Sequence, residues 1–208
     1  PVLGLPRDPT APPPGQDAVD GVIAPDTSKP VALTMLWPLA DQPRLAPGVP
    51  GGTTPVRLMD DDLATSLAPG GRLDTLLGAA EFATSTPVDP DGQVTRALCL
   101  AIDPDLLVTV NAMTGGYVVS DSADGLGVAS HPGAGQAAAA TWLDRLRTLA
   151  VRMCVTATPY AQADLDALAR VGDPGLSAFA TTGAADLVDQ ILGVTSVRGA
   201  TLVGDGPL

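Results

Sequence analysis

The chain has 208 residues, 45% of them hydrophobic and only 3% aromatic, so its core must be built from Ala, Val, Leu and Ile. With 11 basic and 23 acidic residues the formal charge is −12, and Lys29 is the single lysine. No basic face exists to release counterions, which argues against DNA, RNA or anionic lipid as a partner.

A chain of this length buries roughly 70% of its unfolded surface and needs no metal or disulfide framework to fold. No run approaches the ~20 apolar residues of a membrane span, so no membrane contact by this segment is expected. The first residue is Pro1 rather than Met, which reads as a piece of something longer. Residues 1–30 are proline-rich, with Pro12-Pro13-Pro14-Gly15 after a short Val2-Leu3-Gly4-Leu5 run. They read as a leading segment or the end of a preceding domain. The folded body is expected over 31–208.

Four apolar runs then each end near a proline: 31–37 before Pro38, 97–103 before Pro104, 153–158 before Pro159, and 200–203 before Pro207. Proline cannot donate to a sheet ladder and marks where each strand stops. Hydrophobicity within the runs is continuous rather than alternating, the pattern of strands covered on both faces in a parallel sheet. Helical patterns lie between them at 61–67, 72–82, 105–113, 137–150, 163–171 and 184–192, with Gly172 and Gly193 closing the last two. Strands alternating with helices define an α/β fold. The long intervals between the prolines place Gly/Pro/Asp-rich insertions at 44–57, 84–95 and 120–136. A partial or incomplete (β/α) barrel-like domain is favoured, because the last strand arrives just where the sequence stops, and truncation of the domain at its C-terminal end is the expectation. An open doubly wound sheet is the alternative.

Cys99 and Cys154 each lie five residues before their strand's proline, so the two strands share a register. With no C-x-x-C motif and His131 as the single histidine, a zinc site lacks ligands. Two buried thiols are favoured, with a disulfide as the alternative.

Ligands of α/β proteins sit at the carboxyl ends of parallel strands. That rule selects Trp37, Asp41, Asp103, Asp105, Tyr160 and Asp205. Asp103, with Asp41 or Asp105 as its partner, is the candidate for catalysis as acid or base, and capping of the following helix is the competing role. Trp37 and Tyr160 are the candidates for stacking on a sugar or another apolar ligand face, against packing in the core. The run Asp60-Asp61-Asp62 lacks the spacing of a calcium loop and is read as the opening of a helix. Asp121 and Asp124 are read as loop residues. Gly133-Ala134-Gly135-Gln136-Ala137-Ala138 has the shape G-x-G-x-x-A, but no strand runs directly into it. It is read as a flexible loop joining a helix, and His131 beside it as an exposed loop residue. No cofactor and no metal are expected.

Leu36-Trp37-Pro38-Leu39-Ala40-Asp41-Gln42-Pro43, Asp61-Asp62-Leu63-Ala64 with Pro69-Gly70-Gly71-Arg72-Leu73, Ile102-Asp103-Pro104-Asp105-Leu106-Leu107, Trp142-Leu143, and Thr158-Pro159-Tyr160-Ala161 with Asp164 together resemble one family. It is an actinobacterial family of envelope proteins of unknown function. Its members are large, secreted, anchored in the membrane near their carboxyl end, and encoded near the lipid II flippase. The resemblance covers roughly residues 30–170. It implies an extracytoplasmic location and a partner that is an envelope protein, the lipid II flippase among them, or a cell-wall precursor. The expected function is a non-catalytic binding or scaffold module linked to peptidoglycan assembly. The alternative is a carboxylate-dependent glycan-processing enzyme, similar to glycoside hydrolases or polysaccharide deacetylases. Those enzymes need either two suitably spaced carboxylates or a metal site with histidines, and a chain with one histidine cannot offer the second.

Overall fold

The structure, a computed structural model, describes residues 5–6, 22–23, 32–46, 55–121 and 129–199. The chain divides into two units, Pro1–Leu33 and Thr34–Leu208. In the first, β1 (Leu5–Pro6) pairs antiparallel with β2 (Val22–Ile23).

The second unit is α/β. Its central sheet is wholly parallel, β3 (Met35–Leu39), β5 (Leu98–Ile102) and β8 (Cys154–Ala157), in that order. The order follows the chain. Val197 adds one further parallel bridge to Thr156, on β8. Among the described residues the sheet does not close into a barrel. All five residues of β5 are buried, which explains their unbroken hydrophobicity. Leu98, Leu100 and Ile102 join the main apolar core, whereas Cys99 and Ala101 alternate to the opposite side of the strand.

The structure shifts the first strand. It was expected at 31–37 with Pro38 as its stop, yet Pro38 lies inside β3, opposite Ala101. β3 pairs on one side only among the described residues, and an edge strand tolerates a residue without an N–H. Pro104 and Pro159 do follow their strands closely, and Pro104 also opens a helix. The run at 200–203 lies outside the described residues.

The helices are α1 (Asp62–Leu67), α2 (Arg72–Ala83), α3 (Gln93–Ala97), α4 (Pro104–Thr114), α5 (Gln136–Ala150), α6 (Leu165–Val171), α7 (Pro174–Ala178) and α8 (Ala184–Leu192). A 3₁₀ turn at Tyr160–Gln162 precedes α6, and a π-type turn at Phe179–Gly183 leads into α8. α4 packs against α5 and α8, and α5 turns Trp142, Leu143, Leu146 and Leu149 inward at helical spacing. Gly172 and Gly193 end α6 and α8 in the left-handed conformation that glycine adopts without a Cβ penalty. α3 and α7 answer to no expected helix.

A second small sheet was not expected from the sequence. It joins β4 (Val56–Leu58) in parallel to β6 (Tyr117–Ser120), and β6 antiparallel to β7 (Ser130–Pro132). These strands come largely from stretches read as insertions. At three or four residues each they are too short to display a period.

Candidate functional site

The carboxyl ends of β3, β5 and β8 bring together Asp41, Asp103, Asp105 and the turn at Tyr160–Gln162. Asp103 follows β5 directly and is the N-cap of α4, its Oδ1 accepting from the amide of Asp105 at 3.0 Å. Pro104 at the first helical position lacks an N–H where none would be bonded. The capping role therefore belongs to Asp103. It is 0% exposed, and its Oδ2 has no hydrogen-bond partner. Burial raises its pKa to about 6 and the neighbouring Asp105 charge adds to this, while the amides of Asp105 and Leu106 and the Gln162 side chain act in the other direction. Asp105 is 5% exposed. Burial raises its pKa as well, opposed by a hydrogen bond with the Tyr160 hydroxyl. The Tyr160 pKa is raised by burial and by the carboxylates of Asp105 and Asp103.

Asp41 lies beyond the end of β3. Its side chain is 10% exposed and pairs with Arg44 and Arg72, each at 3.3 Å. Arg44 is the centre of this cluster. One guanidinium Nη reaches Asp41, while the other contacts Asp60 and Asp62. Burial opposes its charge, but Asp60 and Asp41 outweigh it and raise its pKa. Arg72 also donates to the carbonyl of Ala40 at 2.8 Å. The Gln162 amide donates to the carbonyl of Asp41 at 3.0 Å, linking the loop after β8 to the end of β3.

The two aromatic candidates have separate surroundings. Trp37 is half-buried against the core, and its indole N–H is bonded to the carbonyl of Leu76 in α2 at 3.2 Å. Tyr160 sits at the strand ends, its ring 5.4 Å from that of Phe179. Asp205 lies outside the described residues.

The acidic run has a larger task than opening α1. Asp60 accepts from the amide of Asp62, as a cap would. Asp61, at the N-cap position, instead binds the Tyr117 hydroxyl and the amide of Ala134. Tyr117 in turn accepts from the amide of Gly135 at 2.9 Å, and burial with the Asp61 interaction raises its pKa to about 12. The protein's own carboxylate thus occupies the segment leading into α5. The glycines there form the loop that joins α5, and they are closely packed. A Cβ on Gly133 would lie 2.0 Å from the Tyr117 ring, and one on Gly135 would lie 2.5 Å from the Ala64 Cβ. His131 is on β7 rather than in a loop, exposed and 2.7 Å from Asp121. Asp124 lies outside the described residues. Among the described residues, no cluster of three His, Cys, Asp or Glu is arranged to hold a metal, and no helix is long and apolar enough to cross a membrane.

A cleft of about 470 Å³ opens beside the end of β8, walled by Thr158, Pro159, Thr181, Thr182, Asp186 and Arg198 among others. Asp103 and Asp105 do not line it. Arg198 bonds Asp189 and Asp186, the latter at 3.0 Å. The cysteines form the remaining feature of this region. Cys99 and Cys154 are direct register partners on β5 and β8 and are joined by a disulfide, with Cα atoms 4.4 Å apart. The shared register was legible; the favoured pair of free thiols is overturned.

No protein family, curated protein or solved structure matches the chain.

Arg44 and Gln162 had no place among the sequence candidates. For Arg44 the one signal was the scarcity of cations, 11 in the chain. Gln162 carried no such mark.

Proposed function

We propose that this chain is the extracytoplasmic domain of a membrane-anchored actinobacterial cell-envelope protein, acting as a non-catalytic binding or scaffold module in peptidoglycan assembly. The observation that carries the reading is the Cys99–Cys154 disulfide. Such bonds persist in oxidising compartments and are rare in a reducing cytosol. The resemblance of residues 30–170 to the envelope family supplies the rest of the context: an anchored parent, and as partner an envelope protein such as the lipid II flippase or a cell-wall precursor.

The finer reading of the fold is an incomplete (β/α) barrel. A sheet whose strand order follows the chain, with Val197 extending it past β8, supports this winding. A doubly wound sheet reverses its order at a switch point, and none occurs among the described residues.

The strand-end carboxylates favour binding over glycan processing. Asp103 caps α4 out of contact with solvent, and Asp41 is committed to two guanidinium groups. A glycosidase would need two carboxyl groups facing a sugar.

Fractionation of the cells that make the parent protein, with thiols alkylated at lysis, tests the location. An envelope fraction with neither cysteine alkylated is expected; a cytoplasmic protein with both alkylated would overturn the reading. For the activity, the domain is incubated with defined peptidoglycan fragments and lipid-linked precursors, followed by mass spectrometry and a pull-down. Retained but chemically unchanged glycan is expected for a precursor-binding module. A product made by the wild type and lost in Asp103→Ala would establish the enzyme instead.

A further inference from the structure

The turn after β8 adopts a backbone that its residues resist. Ala161 (φ 49°) and Gln162 (φ 56°) are consecutive, and both lie in the left-handed region that disfavours a Cβ. Surrounding contacts hold the turn in place. The Gln162 side chain reaches the carbonyl of Asp41 at 3.0 Å, the Tyr160 hydroxyl bonds Asp105, and the Tyr160 ring rests on Phe179. The turn packs against α4, whose first residues follow Asp103. That carboxyl is wholly buried, its Oδ1 on the Asp105 amide and its Oδ2 without a hydrogen-bond partner, and the nearby Leu106 amide and Gln162 side chain only partly offset the cost of ionising it.

We propose that the Tyr160–Gln162 turn is a strap that closes over Asp103 when this carboxyl is protonated and loosens when it ionises. A neutral acid tolerates burial. A carboxylate with an unsolvated oxygen, facing a second carboxylate at Asp105, gains from admitting water.

The charged neighbours are few. On α4 there is Asp105, on the turn Tyr160, and at the end of β3 Asp41, which is already paired with Arg44 and Arg72. On the elements packed behind α4, Arg145 of α5 is bound to Asp74 and Glu81, and Arg147 to Asp144 and the Ile191 carbonyl. Asp186 and Asp189 of α8 hold Arg198, and Tyr117 of β6 holds Asp61. None of these leaves a cation beside Asp103.

The sign follows from linkage. The closed state holds its proton up to about pH 6, whereas a solvated aspartate releases it near 3.8. Closure is therefore most favoured below the lower value and declines as pH rises through the upper one, by up to about a hundredfold in the closed-to-open ratio.

Hydrogen exchange in the full chain tests this at the amides of Gln162 and Ala163, which bond the carbonyls of Pro159 and Tyr160. With intrinsic rates divided out, protection in the wild type should fall from about pH 4 to about pH 7, most of the fall coming below pH 6, while amides within α5 hold theirs. Asp103→Asn keeps an acceptor for the cap but cannot ionise, and should show protection independent of pH. Gln162→Ala, lacking the tie to Asp41, should exchange faster at both pH values. Wild-type protection that does not change over this range, or an Asp103→Asn profile like the wild type's, would overturn the proposal. Should Asp103→Asn fail to fold, carbon NMR of the wild-type Asp103 carboxyl decides. Loss of protection at Gln162 and Ala163 that runs together with this titration supports the strap, and a carboxyl that titrates while their protection stays unchanged refutes it.

Discussion

Replacing both cysteines by alanine should remove about 4 kcal/mol of stability. The bond closes a loop across a sequence separation of 55. In the chain-entropy treatment, a cross-link over about 55 residues withdraws about 14 cal/mol/K from the unfolded ensemble, or about 4 kcal/mol at 25 °C. The cost of the lost side-chain volume is small because Ala and Cys differ by one sulfur atom. For a chain of this size the loss corresponds to a drop in Tm of about 8–16 °C. The assay is denaturant unfolding of the wild type, oxidised and reduced, beside Cys99→Ala/Cys154→Ala, with thiol titration of the unfolded wild type before reduction. Oxidised wild type should show no free thiols, and its unfolding midpoint should exceed that of the double variant. Two titratable thiols, or a difference below about 1 kcal/mol, would refute the reasoning that this bond staples β5 to β8.

Two further substitutions probe the packing that supports the sheet. Gly133→Ala places its methyl within the Tyr117 ring and should cost about 1–3 kcal/mol in denaturant unfolding; an unchanged midpoint would show that Tyr117 moves freely aside. Arg145 bridges Asp74 and Glu81 between α5 and α2, and its side chain is 33% exposed. Solvent screens such a network, so Arg145→Met should cost about 1 kcal/mol, and a double-mutant cycle with Glu81→Gln should recover part of that as coupling.

Several elements were legible because the chemistry that makes them is local. The helices α2, α4, α5 and α8 carry their own periodicity, and α6 and α8 their terminal glycines, so their bounds fall within two residues of expectation. β5 announced its burial through five apolar residues in succession. The shared distance from proline gave the strands of Cys99 and Cys154 a common register, and the two residues are partners in the sheet. The grouping of Asp41, Asp103, Asp105 and Tyr160 at one end of the sheet also followed, since parallel strands present their carboxyl ends together.

Other features depend on residues that only folding brings near. A sulfur atom at a buried strand position has the same sequence signature whether free or bonded. The bond needs two Cα atoms at 4.4 Å, which the pairing of β5 with β8 supplies. The short strands β4 and β7 owe their existence to pairing with β6, whose Tyr117-Val118-Val119 run carries strand propensity of its own. Asp61 reads locally as a helix start, yet its carboxylate is taken by Tyr117 and Ala134, 56 and 73 residues away in sequence. Trp37 reads as a strand-end aromatic until α2 offers the Leu76 carbonyl to its indole. The sequence by itself thus determined the α/β class, the main helices and the register of the cysteines, because these rest on periodicity and on the backbone limits of glycine and proline. Tertiary structure decided the disulfide, the second sheet and the burial of Asp103, because hydrogen bonds, desolvation and covalent closure depend on distances between residues far apart in the chain.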